Sequence, residues 1–433
     1  MTFQIHPHPD RARWPELLRR PVMDLSQIEG RVQPIMEAVR TRGDAAVRAF
    51  TERFDGVALD DLRLPAEDAF DDYGLSEELR SAIVVAKSNL MRFHEAQREA
   101  VERVQTMRGV VCWRKSVPIQ RVGLYIPGGS APLFSTLLML AIPAQLAGCE
   151  QIVLCTPPGP DGLPHPAIRY VAKLLGLDQV YRVGGAQAIA AMGYGTETIP
   201  QVDKIFGPGN QYVTMAKQLM AKEGLPIDMP AGPSEVAIIA DDSADAAFVA
   251  ADLLAQAEHG PDSQVLLVSI SQGFIAQVEA EVTRQLADLP RRDIAAQALA
   301  NSAAILLAND EEVLDLINQY AAEHLIIATD HAEALAERII NAGSVFIGHY
   351  TPESVGDYAS GTNHTLPTNG WARSYSGVSL DSFVKKITFQ QLSREGLLGI
   401  GPAVMEMAEA EQLAAHRRAV EIRLERQPAK TER

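Results

Sequence analysis

The stretch 354–370, SVGDYASGTNHTLPTNG, follows a short β-like run at 344–347 and has almost no apolar side chains. It holds one carboxylate, Asp357, and one imidazole, His364, with Gly356, Gly361 and Gly370 easing the backbone turns. A polar loop after a strand is where α/β proteins commonly keep their chemistry, although a solvated surface loop has the same composition. Three further pairs sit at element ends. Gln256 and His259 are spaced i, i+3 and share a face at the end of a helix before Gly260 and Pro261. Glu323 and His324 adjoin where a helix gives way to a strand. Glu411 and His416 lie on the C-terminal helix, on loosely neighbouring faces. Imidazole, carboxylate and amide oxygen together form a donor set that suits Zn²⁺ without cysteine. An adjacent Glu–His pair supplies an acid/base couple. Taken singly, each has a plainer reading: a histidine favoured by a helix C-terminus, a solvated helix end, a charged helix face.

Glycine loops are the second feature. GLYIPGGSAP (123–132), VGGAQA (183–188) and FGPGNQY (206–212) each follow a strand and precede a helix. Backbone N–H groups at such turns can hold a phosphate or a dinucleotide, but strand-to-helix turns need glycine anyway. None is a GxGxxG fingerprint, so spacing alone does not assign a nucleotide.

The elements that must position these groups alternate. Residues 10–110 read as helical, with Gly43 a stop and Ser76 a cap, ending near a β-like run at 110–113. From 119 the pattern becomes strand, glycine turn, helix. Strands fall at 122–126, 151–155, 180–183 and 204–206, with helices at 137–146, 167–175, 186–192 and up to 220. The segment PIDMPAGP (226–233) reads as a linker. A second alternating set follows, with strands at 236–239, 265–268, 304–307, 325–328 and 344–347. Its helices fall at 242–258, 272–288, 310–322 and 332–340. Such alternation implies parallel sheets with helices on both faces. After about 380 the chain reads as helical, with a terminal arm at 397–424 and a frayed end. The expected division is an N-terminal helical region (1–118), part of it packing with the second α/β unit, then two α/β units (119–233 and 234–380) and a C-terminal helical arm (381–433).

Composition narrows the class. A chain of 433 residues exceeds one ordinary core, so several domains are expected. A net charge of −16 argues against nucleic-acid binding and against docking on anionic lipid. Cys112, Cys149 and Cys155 have no CxxC spacing, which leaves neither a disulfide framework nor a cysteine zinc site. A reducing cytoplasm is expected, since the N-terminus lacks the layout of a signal peptide and the longest apolar run, 137–144, is too short to span a membrane.

The segments GLYIPGGSAPLFSTLLMLAIPAQLAGC, VGGAQAIAA, KIFGPGNQYV, MPAGPSE, DLLAQAEHGPDSQ, AAEHL and SVGDYASGTNHTLPT resemble, in the same order, the motif series of histidinol dehydrogenases. The resemblance runs from the N-terminal helices to EQLAAH. It implies two Rossmann-like domains, with N-terminal helices and a C-terminal arm that reaches the partner in a homodimer. It also implies a two-step, NAD-dependent oxidation of L-histidinol through an aldehyde to L-histidine, with one Zn²⁺ per site. By motif, Gln256, His259, Asp357 and His416 would be the zinc ligands, with His416 contributed by the other subunit, so that the active site is shared. Glu323 and His324 would be the catalytic pair, and Ser234, His364 and Glu411 would help the zinc ligands and His324 hold substrate. Tyr125, Gln187 and Asn210 would contact NAD. Paralogues in the wider family act on other polar alcohols, such as a sulfonated diol; Ser234, His364 and Glu411 all match the histidinol pattern. A cysteine hemithioacetal is the competing chemistry, but the three thiols read as structural.

Overall fold

The computed structural model describes residues 3–21, 25–65, 73–128, 132–230 and 232–426. Residues 129–131 of the first glycine loop, Ala231 of the 226–233 segment and the terminal residues after 426 lie outside the described residues. The chain forms two compact units, one of residues 1–97 with 119–383 and one of residues 98–118 with 384–433.

In chain order the strands are β1 (Gln4–Pro7), β2 (Arg103–Met107), β3 (Val110–Pro118), β4 (Arg121–Tyr125) and β5 (Gln151–Thr156). Next come β6 (Val180–Arg182), β7 (Lys204–Phe206), β8 (Glu235–Ala240) and β9 (Gln264–Ser269). The last are β10 (Ala303–Leu306), β11 (His324–Ala328), β12 (Ser344–Ile347) and β13 (Val384–Leu392). In the larger unit, a parallel four-stranded sheet has the order β6-β5-β4-β7. A parallel six-stranded sheet in the same unit has the order β1-β10-β9-β8-β11-β12.

Strand alternation builds both cores. Val236 and Ile238 of β8 enter one apolar layer with the helices Ala246–Ala257 and Gln272–Asp288. Ala237 and Ile239 enter the opposite layer with Asp310–Tyr320. In β4, Val122 and Leu124 face the helices Glu77–Glu95 and Phe134–Ala147, while Tyr125 faces Leu25–Arg42 and Gly185–Tyr194. Each sheet is therefore wound with helices on both faces. Each such buried aliphatic side chain contributes on the order of 2 kcal/mol.

Several expectations are corrected. The N-terminal region is not wholly helical: β1 is an edge strand, with Gln4 opposite Ala303 of the second α/β set. Residues 98–118 are not helical; β2 and β3 form a hairpin in the smaller unit. The region after 380 starts with a strand, since β13 pairs antiparallel with β3 along its whole length. Its sequence VKKITFQQL is mostly polar and partly exposed, so its conformation comes from a partner remote in sequence. The terminal arm is a helical hairpin of Arg394–Ala410 and Ala414–Glu425, broken at Gln412 with φ of 59°. Glu411 and His416 therefore lie on opposite sides of a break and not on one helix. Gly401 gives Val420 and Leu424 room to pack within that hairpin. Ser76 does cap its helix, accepting from Leu79 N–H at 3.2 Å.

Candidate active site

The opening residues of β8 and β11 lie side by side, with His324 in register with Val236. This places Glu323 and His324 at the N-terminal ends of parallel strands, both almost fully buried. The Glu323 carboxylate accepts from the Glu235 N–H at 3.0 Å. His324 Nδ1 lies 3.4 Å from the Glu235 carbonyl, 3.7 Å from Glu323 Oε2 and 3.8 Å from Glu353 Oε1. Its Nε2 faces Asp357 Oδ1 at 3.5 Å. Burial alone would lower the His324 pKa, but the surrounding carboxylates, Glu353 foremost, raise it to about 10. Burial pushes Glu323 and Glu353 each up to about 8. Burial acts the same way on Asp357, yet the imidazoles of His324, His364 and His259 outweigh it and hold this carboxylate below its ordinary value.

Asp357 owes its position to the short helix Glu353–Tyr358, which replaces the start of the expected loop. Pro352 precedes it, and Gly356 packs where a Cβ would sit 2.7 Å from the Phe346 ring. The following loop is anchored by a defect in the neighbouring helix. Pro143 lies inside Phe134–Ala147 and has no N–H for the carbonyl of Met139. The Asn363 amide fills that vacancy, donating to the Met139 carbonyl at 2.6 Å. His364 is thereby set with Nδ1 donating to the Asp357 carbonyl at 2.9 Å, so Nε2 accepts from the Thr136 hydroxyl at 2.8 Å.

Gln256 is fully buried near the end of Ala246–Ala257, its Nε2 3.3 Å from His259 Nδ1 and its Oε1 without a hydrogen-bond partner. The His259 ring reaches the surface, while the protein packed around it lowers its pKa; Asp357 and His324 are charged neighbours. Ser234 is half-buried immediately before β8, its carbonyl accepting from Gln264 N–H at 3.2 Å. Glu411 and His416 belong to the smaller unit, where both are exposed.

Tyr125, Gln187 and Asn210 line one cleft of about 1430 Å³ at the C-terminal ends of the four-stranded sheet. The Tyr125 hydroxyl accepts from Gly185 N–H at 3.1 Å, and burial pushes its pKa up to about 12. Gln187 is buried with Oε1 unpartnered. Asn210 caps the helix Gln211–Lys222, its side-chain oxygen accepting from Tyr212 and Val213. Gly207, at φ of 126°, passes so close to the Tyr125 backbone that a side chain has no room. Buried Lys217 and Asp228 hold that turn through the Gly207 carbonyl and N–H, at 2.7 and 2.9 Å.

Sequence reasoning missed Glu353, which with His324 and Asp357 brings ligand atoms within 4.8 Å of one another. The signal was the i, i+4 spacing of Glu353 and Asp357 after Pro352. It also missed Glu235 and Arg20, a buried ion pair joining positions 215 residues apart. No local pattern announces such a pair. Among the described residues no helix is long and apolar enough to cross a membrane.

Doubly wound sheets, a deep cleft at strand ends and a buried imidazole among carboxylates define an α/β enzyme with acid/base chemistry at its centre. The family description "Histidinol dehydrogenase" matches residues 18–424. A histidinol dehydrogenase of Bacteroides thetaiotaomicron is 56% identical over 96% of this chain and 98% of its own. A chloroplastic histidinol dehydrogenase of Oryza sativa is 53% identical over 94% of this chain and 87% of its own. The crystal structure of histidinol dehydrogenase from Elizabethkingia anophelis superposes with a TM-score of 0.96 at 51% identity, covering 98% of each chain. This chain belongs to the histidinol dehydrogenase family.

Proposed function

We propose that this protein oxidises L-histidinol to L-histidine through L-histidinal, the closing steps of histidine biosynthesis, with NAD and one zinc ion per subunit. Family membership supports the substrate, and one observation carries the chemistry: buried His324 is surrounded by Glu323, Glu353 and Asp357. The residues fit a zinc ion, because the Gln256 amide oxygen is buried without a partner in a neighbourhood that also offers the His259 imidazole and the Asp357 carboxylate. Gln256, His259 and Asp357 would hold the metal, with His416 from a second copy completing the set in a homodimer with shared sites. The cleft lined by Tyr125, Gln187 and Asn210 fits NAD in size, and Gln187 Oε1 is an acceptor in need of a donor. When bound, NAD would supply the hydride acceptor for each oxidation, and zinc a Lewis-acid anchor for the substrate.

With Asp357 holding a zinc ion, part of the negative charge that keeps His324 protonated would be cancelled and the ionised form of Glu323 favoured. In the first oxidation a neutral His324 therefore takes the hydroxyl proton, and Glu353 and Glu323 stabilise the resulting imidazolium. For the second, the oxygen of a water bonds to the aldehyde carbon and its proton passes to the Glu323 carboxylate. The aldehyde oxygen takes the proton from His324, giving the hydrate. His324 then accepts a hydroxyl proton from that hydrate as the second hydride leaves. Ser234, His364 and Glu411 contact the substrate, and an enclosed site keeps the aldehyde from bulk water.

The test is product analysis with zinc, NAD and L-histidinol. L-histidine formation that a chelator stops supports the reading. Turnover confined to another polar alcohol, such as a sulfonated diol, overturns the substrate and leaves the fold intact.

A further inference from the structure

Arg20 lies far from Glu323 in sequence, yet it grips both chain segments that deliver this carboxylate. Its Nη2 donates to the Tyr320 carbonyl at 2.7 Å, at the end of the helix from which the chain turns through Ala321 and Ala322 to Glu323. Ala321 makes that turn at φ of 56°, a left-handed conformation that a non-glycine residue keeps only when its surroundings hold it. The same guanidinium binds the Glu235 carboxylate in two-pronged fashion, through Nε and through Nη2 at 2.9 Å. The guanidinium also lies 4.0 Å from the centre of the Tyr320 ring. The Tyr320 hydroxyl in turn donates to Gln264 Oε1 at 2.9 Å, tying the assembly to the start of β9. Glu235 and Tyr320 are almost fully buried, so the Arg20 charge and its partners are locked in one arrangement.

The consequence falls on Glu323 more than on His324. Among the described residues, the one hydrogen bond to the Glu323 carboxylate comes from the N–H of Glu235, the residue Arg20 holds. His324 also has Glu353 and Asp357 beside it, neither of which touches Arg20. We propose that Arg20, through its clamp on Glu235 and the Tyr320 carbonyl, is a positioning residue that aims the Glu323 carboxylate for the hydration step. This rests on the function proposed above and adds to it a determinant of the second oxidation that lies outside the catalytic pair.

The test separates the two oxidations in the zinc-loaded full chain. One assay follows the first-turnover burst of NADH from the alcohol; the other starts from the aldehyde and follows histidine. In Arg20→Ala, the burst rate from the alcohol stays within about threefold of the unaltered protein, while aldehyde oxidation falls on the order of 10- to 100-fold and aldehyde accumulates in the site. The fall is in kcat, with the KM for the aldehyde little changed. Arg20→Lys keeps the charge but loses the two-pronged grip, so it shows the same selective loss at smaller size. Should Arg20→Ala not fold, Arg20→Lys decides alone. Equal losses in both assays, or no loss in either, overturn the proposal. Failure of the unaltered protein to oxidise histidinol would overturn the function itself, a separate result.

Discussion

At the scale of single residues, the central imidazole and its neighbouring carboxylate have different duties on the proposed function. His324 serves both oxidations, so His324→Ala lowers each by about 10²–10⁴-fold, measured with alcohol and with aldehyde as substrate. Glu323→Gln keeps the side chain's shape and its acceptor toward the Glu235 N–H. It therefore spares the first hydride transfer, read as a first-turnover burst of NADH from the alcohol, and slows aldehyde oxidation by about 100-fold. The proposed chemistry uses no thiol, and Cys112 lies on β3 in the smaller unit. Cys155 is fully buried and Cys149 has its pKa pushed up to about 12 by burial, so neither supplies thiolate near neutrality. Treatment of the folded protein with a thiol alkylator accordingly leaves turnover unchanged; loss of activity in step with alkylation would restore the hemithioacetal route. The residues with chemistry were legible because the motifs around them are long. Glu353, Glu235 and Arg20 were not, because their meaning comes from partners brought by the fold: an i+4 neighbour on an unexpected short helix, and an ion pair onto the first residue of the interior strand β8.

At the scale of elements, strands buried on both faces announced themselves as short apolar runs between glycine turns, and the helices between them by their period. What failed to show were pieces whose conformation is imposed from elsewhere. β1 and β13 are short of apolar side chains and exist through Ala303–Leu306 and Val110–Pro118 respectively. The loop carrying His364 is another case, since Asn363 is held by a carbonyl that Pro143 leaves free. Asn363→Ala leaves that buried carbonyl unpaired and costs about 1–3 kcal/mol in a denaturant melt. An unchanged melt would mean another group takes its place. The helix Asp44–Asp55 ends on a carboxylate that its own dipole disfavours. Burial raises the Asp55 pKa to about 6. Between about pH 4 and 6 the native chain then binds more protons here than the unfolded one, so this contribution to stability falls as pH rises. Asp55→Asn therefore raises the melting temperature at pH 7 but not at pH 4; the opposite pattern would mean the carboxylate is stabilised by an ion pair.

At the scale of the molecule, the cleft opens at the C-terminal ends of β4 to β7, whereas the imidazole–carboxylate cluster sits at the N-terminal ends of β8 and β11. The first location follows the general rule for open parallel sheets; the second departs from it, and the sequence located only its Glu323–His324 part, where a helix gives way to a strand. The proposed shared site in a homodimer has a sharp consequence. His324→Ala and His416→Ala copies are each inactive alone. Mixed and allowed to exchange subunits, they form pairs with one intact site, recovering up to about a quarter of full activity on random pairing. No recovery in demonstrably mixed dimers would mean that His416 serves its own subunit or none. A four-electron oxidation at one enclosed site, as proposed, is read by counting NADH. With limiting L-histidinol, zinc and excess NAD, two NADH form for each histidinol consumed, with no free aldehyde. One NADH per histidinol, with aldehyde released, would contradict it.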